Sequence, residues 1–165
     1  MVATIFVSLE GVNLSEWDCV IRELSVYFCE TGKVQHFTFD PPDRTLSPSE
    51  KKTDNYVRQH LGGVGVFDEI PGSLSNHRSQ EILTSLGGYQ ILCAGNVAFS
   101  WIKRVLPFGD VKNIQINTDF KFPRELQGTF CGVVHTPRYC SLSKLWVIVY
   151  YFRFSGKSSV FNFTM

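Results

Sequence analysis

An excess of charge of either sign is missing from this sequence: 16 basic and 15 acidic residues among 165 leave a formal net charge of +1 at pH 7. A global electrostatic pull toward nucleic acid is therefore excluded, and any such affinity has to be local. Long apolar runs are missing as well, since nothing approaches the roughly 18 to 20 residues that a membrane-spanning helix needs. The apolar stretch at residues 3–9 has no basic segment before it and soon meets Glu10 and Glu16, so it is not expected to be a secretory signal. Cysteines are few and odd in number: Cys19, Cys29, Cys93, Cys131 and Cys140. Several lie in apolar runs, which points to free buried thiols rather than a disulfide framework, and to an intracellular setting in cytoplasm or nucleus. There is no G-x-S-x-G string for a nucleophilic serine, no P-loop and no G-x-G-x-x-G dinucleotide motif. Internal repeats and low-complexity segments are also absent.

What is present is an ordinary globular composition, 44% hydrophobic and 19% charged, long enough for one domain with a proper core. The clearest pattern lies at residues 91–106, ILCAGNVAFSWIKRVL. A short apolar run passes through the small residues Ala94, Gly95 and Asn96 into Phe99, Ile102, Val105 and Leu106 at helical spacing, leaving Lys103 and Arg104 wet. This reads as strand, tight turn and helix, the junction at which α/β proteins commonly bind ligands.

Before it, residues 3–9 read as a buried strand ended by Glu10, and residues 19–28 and 34–39 as two more strands. Their short connections predict an antiparallel meander, which Pro41 and Pro42 stop. Helices are expected over residues 48–61, started by Ser47 and Pro48 and stopped at Gly62 and Gly63, and over residues 73–86 with Leu74, Ile82, Leu83 and Leu86 inward. Residues 111–116 alternate as a half-exposed strand, Pro123 begins a possible short helix, and residues 145–154 (LWVIVYYFRF) have the β-branched and aromatic composition of a strand. The order predicts an α/β domain with a mixed sheet whose first three strands are antiparallel, flanked by helices.

Residues 94–100, AGNVAFS, resemble the second motif of the DEDDh 3′–5′ exonucleases of the ribonuclease H-like fold, roughly A-H-N-x-x-F-D, with Asn96 and Phe99 matching and Ser100 at the metal-binding Asp position. The resemblance covers about residues 4–141. Residues 20–26 (VIRELSV) are similar to the family's second strand, the Phe39, Asp40, Pro41, Pro42 bend to the end of its third, and Val64 between glycines to the turn that often precedes the second motif. The first motif, Asp-x-Glu, is matched by Ser8, Leu9 and Glu10. The third, H-x-x-x-x-D, is matched from His135 to Cys140. The resemblance thus implies an exonuclease-like domain over residues 1–144, followed by an apolar C-terminal segment over residues 145–165. Within that segment the family calls for a helix, whereas local propensity favours strand or irregular structure beyond Lys144.

Family chemistry uses four carboxylates to hold two metal ions and a His to take a proton from the attacking water. Here Glu10 and His135 keep their positions, while Ser8, Ser100 and Cys140 replace the other three carboxylates. One carboxylate does not offset the cost of dehydrating Mg²⁺. The expectation is an inactive exonuclease-like domain that needs no cofactor and acts by binding single-stranded nucleic acid or a protein partner. Two alternatives stay open. Asp18, Asp110 or Asp119 could migrate into a rearranged site that uses Mg²⁺ or Mn²⁺, or Cys131, His135 and Cys140, with Cys93, could hold a structural zinc. Candidate nucleic-acid contacts are Asn96, Lys103, Arg104, Lys121 and Arg124, the last two flanking Phe122, with Lys51 and Lys52 as a further basic pair.

Overall fold

In the computed structural model, residues 2–15, 18–61, 64–123 and 140–154 are described. The chain forms strands β1 (Thr4–Ser15), β2 (Asp18–Phe28) and β3 (Val34–Thr38), then helix α1 (Pro48–Tyr56), which runs on as a π-helical turn over Val57–Leu61. Helix α2 (Arg78–Ser85), strand β4 (Gln90–Cys93), helix α3 (Asn96–Val105), strand β5 (Val111–Asn113), the one-turn helix α4 (Ile114–Asn117) and helix α5 (Ser141–Phe154) follow. The five strands make one sheet in the order β3-β2-β1-β4-β5. β1 pairs antiparallel with β2, and β2 antiparallel with β3. β1 and β4 are parallel, as are β4 and β5.

Strand periodicity divides the core between the two faces. Ile5, Val7 and Leu9 of β1, with Leu24, Val26, Ile91 and Cys93, pack against Leu83 of α2 and Ala98, Trp101 and Ile102 of α3. Phe6, Tyr27 and Leu92 point the other way, onto Leu145, Ile148, Val149 and Phe152 of α5. The mixed α/β sheet flanked by helices is as expected, and so is the antiparallel arrangement of its first three strands.

Four local expectations are corrected. Glu10 does not end β1. The strand continues to Ser15 through a bulge, where the register passes from Glu10↔Glu23 to Gly11↔Ile21 and leaves Arg22 as the extra residue. Gly11 permits this crossing, because a Cβ there would stand 1.9 Å from the Val20 carbonyl oxygen. Arg22 turns inward with no exposure and donates to the carbonyls of Phe39 (2.9 Å) and Val66 (3.0 Å), and also to those of Gly65 and Asp68. Burial lowers the pKa of its guanidinium, a shift opposed by Asp68, Asp40, Asp54 and Glu23.

The second helix begins at Arg78 rather than at residue 73, because Leu74 instead bridges to Phe39 and closes the end of the β3 edge. The strand expected over residues 111–116 stops at Asn113, whose side chain accepts from the Gln115 amide and starts α4. Beyond Lys144 the chain is helical to Phe154, and the boundary drawn after residue 144 falls inside α5. Tertiary packing overrides β propensity there: Leu145, Ile148, Val149 and Phe152 recur at three and four residues and are all buried. The possible short helix after Pro123 lies outside the described residues.

Candidate functional site

The α5 face of the sheet is apolar at one end and polar at the other. Ser8 and Glu10 of β1 stand opposite Ser25 and Glu23 of β2, and His36 of β3 stands opposite Ser25. Over this patch lies the first turn of α5. Ser8, Glu23, Ser25, Ser141 and Ser143 are all buried, so each polar atom has to find a partner inside the fold.

The partners form a directed chain. Glu23 Oε1 accepts from the Ser141 amide at 3.3 Å and from Ser141 Oγ at 3.2 Å, which places a carboxylate at the positive end of α5. Ser141 Oγ lies 2.8 Å from Ser25 Oγ, and Ser25 Oγ lies 2.7 Å from His36 Nδ1. Since Ser141 gives its only hydroxyl proton to Glu23, Ser25 must donate to Ser141, and His36 Nδ1–H to Ser25. The other ring nitrogen, His36 Nε2, is 3.9 Å from Glu23 Oε1. Glu10 is answered separately, by an ion pair with the ammonium of Lys144, which also lies 5.4 Å from the centre of the Phe122 ring.

The predicted positions divide accordingly. Ser8 and Glu10 belong to this chamber, and Cys140 is buried next to Ser141 at its edge. Ser100 does not belong to it. It sits exposed on α3, whose core side chains pack on the opposite face of the sheet. β1 pairs with β4 up to Phe6↔Leu92, so the β4–α3 turn stands level with Ser8 and Glu10, at the same end of the sheet. His135, Cys131 and Arg124 lie outside the described residues. Among the described residues no three His, Cys, Asp or Glu side chains gather as a metal-holding group.

Ser100 instead lines a cleft of about 610 Å³ between α3 and the extended β1–β2 arm. Asn13, Asp18 and Cys19 form one wall; Asn96, Ser100 and Arg104 stand on the other. Gly95, at φ 108°, makes the turn into α3. Asn113 Oδ1 accepts from the Gly95 amide at 3.0 Å, and Asn113 Nδ2 donates to Asn96 Oδ1 at 3.1 Å, so the turn is tied to the end of β5. Lys103 donates to the carbonyls of Pro107 (3.3 Å) and Gly109 (3.1 Å), committing its charge to the turn after α3. Arg104 is exposed and makes no hydrogen bond or ion pair among the described residues. Lys121 is exposed outside the cleft lining.

Asp18 is held across the arm by Arg44, at 2.9 and 3.1 Å, and Arg44 continues to Glu50 at 2.9 Å. Burial pushes the Cys19 thiol up to about 12, helped by Glu10 and Asp18 and opposed by Arg104, which makes it a poor nucleophile. Cys29 and Cys93 are likewise pushed up to about 12, chiefly by burial, and Cys19, Cys29, Cys93 and Cys140 are all free thiols.

Sequence reasoning missed Glu23, Ser25, His36, Ser141 and Lys144. A signal was available in β2, where Glu23 and Ser25 alternate with Leu24 and Val26, matching the alternation of Ser8 and Glu10 with Val7 and Leu9 in β1. No protein-family model matches this chain, and no curated protein matches it.

Proposed function

We propose that the chain is a ribonuclease H-like domain, similar to DEDDh exonucleases, that has exchanged its metal site for an internal cation and works by binding a single nucleic-acid strand without cutting it. The Lys144–Glu10 ion pair carries this reading. Glu10 is the one carboxylate left at the family's metal positions, and a side chain of the chain's own α5 neutralises it. The residues at those positions do not fit two divalent ions: Ser100 stands apart in the cleft, and the hydroxyl of Ser8, the buried thiol of Cys140 and a carboxylate already paired with an ammonium are a poor set for hard cations that demand oxygen anions.

The strand order β3-β2-β1-β4-β5, with two antiparallel pairings followed by two parallel ones, supports the ribonuclease H-like part of the reading. The cleft supports the binding part. Arg104 offers a guanidinium with no hydrogen bond or ion pair among the described residues, Asn13, Asn96 and Ser100 offer polar groups along the rim, and exposed Val97 offers apolar contact beside them. The test is fluorescence anisotropy with a labelled single-stranded oligonucleotide at low and high salt. Binding that weakens with salt and with Arg104→Ala is expected. Binding indifferent to Arg104 would move the contact elsewhere, and no binding at low salt would leave a protein partner as the occupant.

A further inference from the structure

Arg44 joins two places that are far apart in sequence: the cleft wall at Asp18 and the start of α1 at Glu50. Three residues after it, Ser47 caps α1. Its Oγ accepts from the Glu50 amide at 3.2 Å, and Glu50 Oε1 accepts from the Ser47 amide at 2.8 Å. Ser47 is exposed and followed by Pro48, residues 41–47 carry no helix or strand, and α1 buries only Asp54. The hydroxyl there is accessible: it stands between Leu46, which anchors the segment in a buried cluster with Val12, Leu14, Val20 and Val66, and a helix that buries no apolar side chain.

We propose that Ser47 is a phosphoacceptor for a proline-directed protein kinase, and that its phosphate draws Arg44 away from Asp18 and so sets the charge of the cleft. In the transfer, the γ-phosphoryl group of ATP forms a bond to Ser47 Oγ as its bond to the bridging β–γ oxygen breaks. The hydroxyl proton goes to the kinase's general base, and ADP leaves. The product carries about −1.5 to −2 charges at neutral pH and three acceptor oxygens. It repels Glu50 from the capping position and competes for the planar donors of Arg44, which now serve two carboxylates. Asp18, freed of Arg44, then faces Ser100 and Arg104 across the cleft and offsets the positive charge of Arg104. The regulatory half of this proposal rests on the cleft being the nucleic-acid site; the modification and the release of Asp18 do not.

The test treats the full chain with a proline-directed serine kinase and ATP, then maps the modified residue by fragmentation mass spectrometry. One phosphoryl group on Ser47 is expected, lost in Ser47→Asn, which keeps a capping side chain without the hydroxyl, and kept in Ser49→Ala. No incorporation, or incorporation only at Thr136, which also precedes a proline, overturns the proposal. ¹⁵N NMR then follows the Arg44 Nε–H and the Asp18 amide. Both should move on phosphorylation, and unchanged signals overturn the coupling. Oligonucleotide affinity should fall about fivefold, the effect of one unscreened charge at close range, and Arg44→Ala should lower it similarly and abolish the further response. Shifted NMR signals with no oligonucleotide binding in either form would support the switch while refuting the cleft as a nucleic-acid site.

Discussion

Glu10 of β1 and Glu23 of β2 stand directly opposite each other on one face of the sheet, and the first turn of α5 answers both, Lys144 taking Glu10 and Ser141 taking Glu23. Like charges opposed across an antiparallel pair are destabilising on their own. The helix is therefore more than a lid over apolar residues. Its first turn supplies the cation and the donors that make two neighbouring carboxylates tolerable inside the fold.

Removing the cation alone should be costly. Lys144→Met is expected to lower stability by about 2 to 4 kcal/mol in chemical denaturation, because it leaves Glu10 without its ammonium beside Glu23. Glu10→Gln together with Lys144→Met should recover most of that loss, giving a coupling energy of about 1 to 3 kcal/mol. Additive effects would mean that the ion pair does not hold α5 in place. In Lys144→Ala, millimolar Mn²⁺ should raise the thermal midpoint, since an external cation can then reach Glu10 and the facing Glu23 together. The parent protein should not respond.

The docking of α5 gives a second test. Phe152→Ala should cost about 3 to 5 kcal/mol, as it empties a fully buried position against Phe6, whereas Tyr150→Ser on the exposed side of the same helix should change stability by about 0.5 kcal/mol or less. Deleting residues 146–165 should abolish cooperative unfolding. A soluble product with an unchanged thermal midpoint would show that the helix is an appendage.

Most of the fold was legible in the sequence, because β1, β2, β3 and the β4–α3 unit are marked by local alternation and by small residues at the turn. The continuation of β1 past Glu10 was not, since it depends on the close crossing of Gly11 and Val20, a contact between strands. Helix α5 was hidden by its own richness: Trp146, Val147, Tyr150 and Tyr151 fill the positions that would otherwise show the spacing of Leu145, Ile148, Val149 and Phe152. The polar chamber needed the register as well. Ser141 and Lys144 are more than a hundred residues from the carboxylates they answer, and no local pattern announces such pairs.

Acid should loosen the start of α1. The Glu50 carboxyl sits below its ordinary value of 4.5, mainly because it accepts from the Ser47 amide, with Ser47 Oγ and Arg44 adding to the effect and partial desolvation opposing it. A carboxyl depressed in the folded state contributes stability that is fully present above its unfolded pKa and is lost as pH falls through the lower folded value. The Ser47 and Glu50 amides should therefore lose hydrogen-exchange protection below about pH 4.5 while amides in β1 and β2 keep theirs. In Glu50→Gln this local pH dependence should disappear.

Contacts with the proposed nucleic-acid strand are tested through salt. For Arg104→Ala, the slope of log affinity against log salt should fall by about 0.7, the loss of one phosphate contact on a single strand. Lys103→Ala should leave the slope unchanged while loosening the turn at Pro107 and Gly109. Equal effects from both would mean that the two cations act only as general positive charge.

The central claim, binding without cleavage, is read most directly by following over time the anisotropy of a single-stranded oligonucleotide labelled at its 3′ end, mixed with the protein at low salt, with and without Mn²⁺. A rise that stays constant in both conditions is the predicted result. A decay that requires Mn²⁺ and vanishes in Glu10→Gln would show that a working metal site survives and would contradict the account.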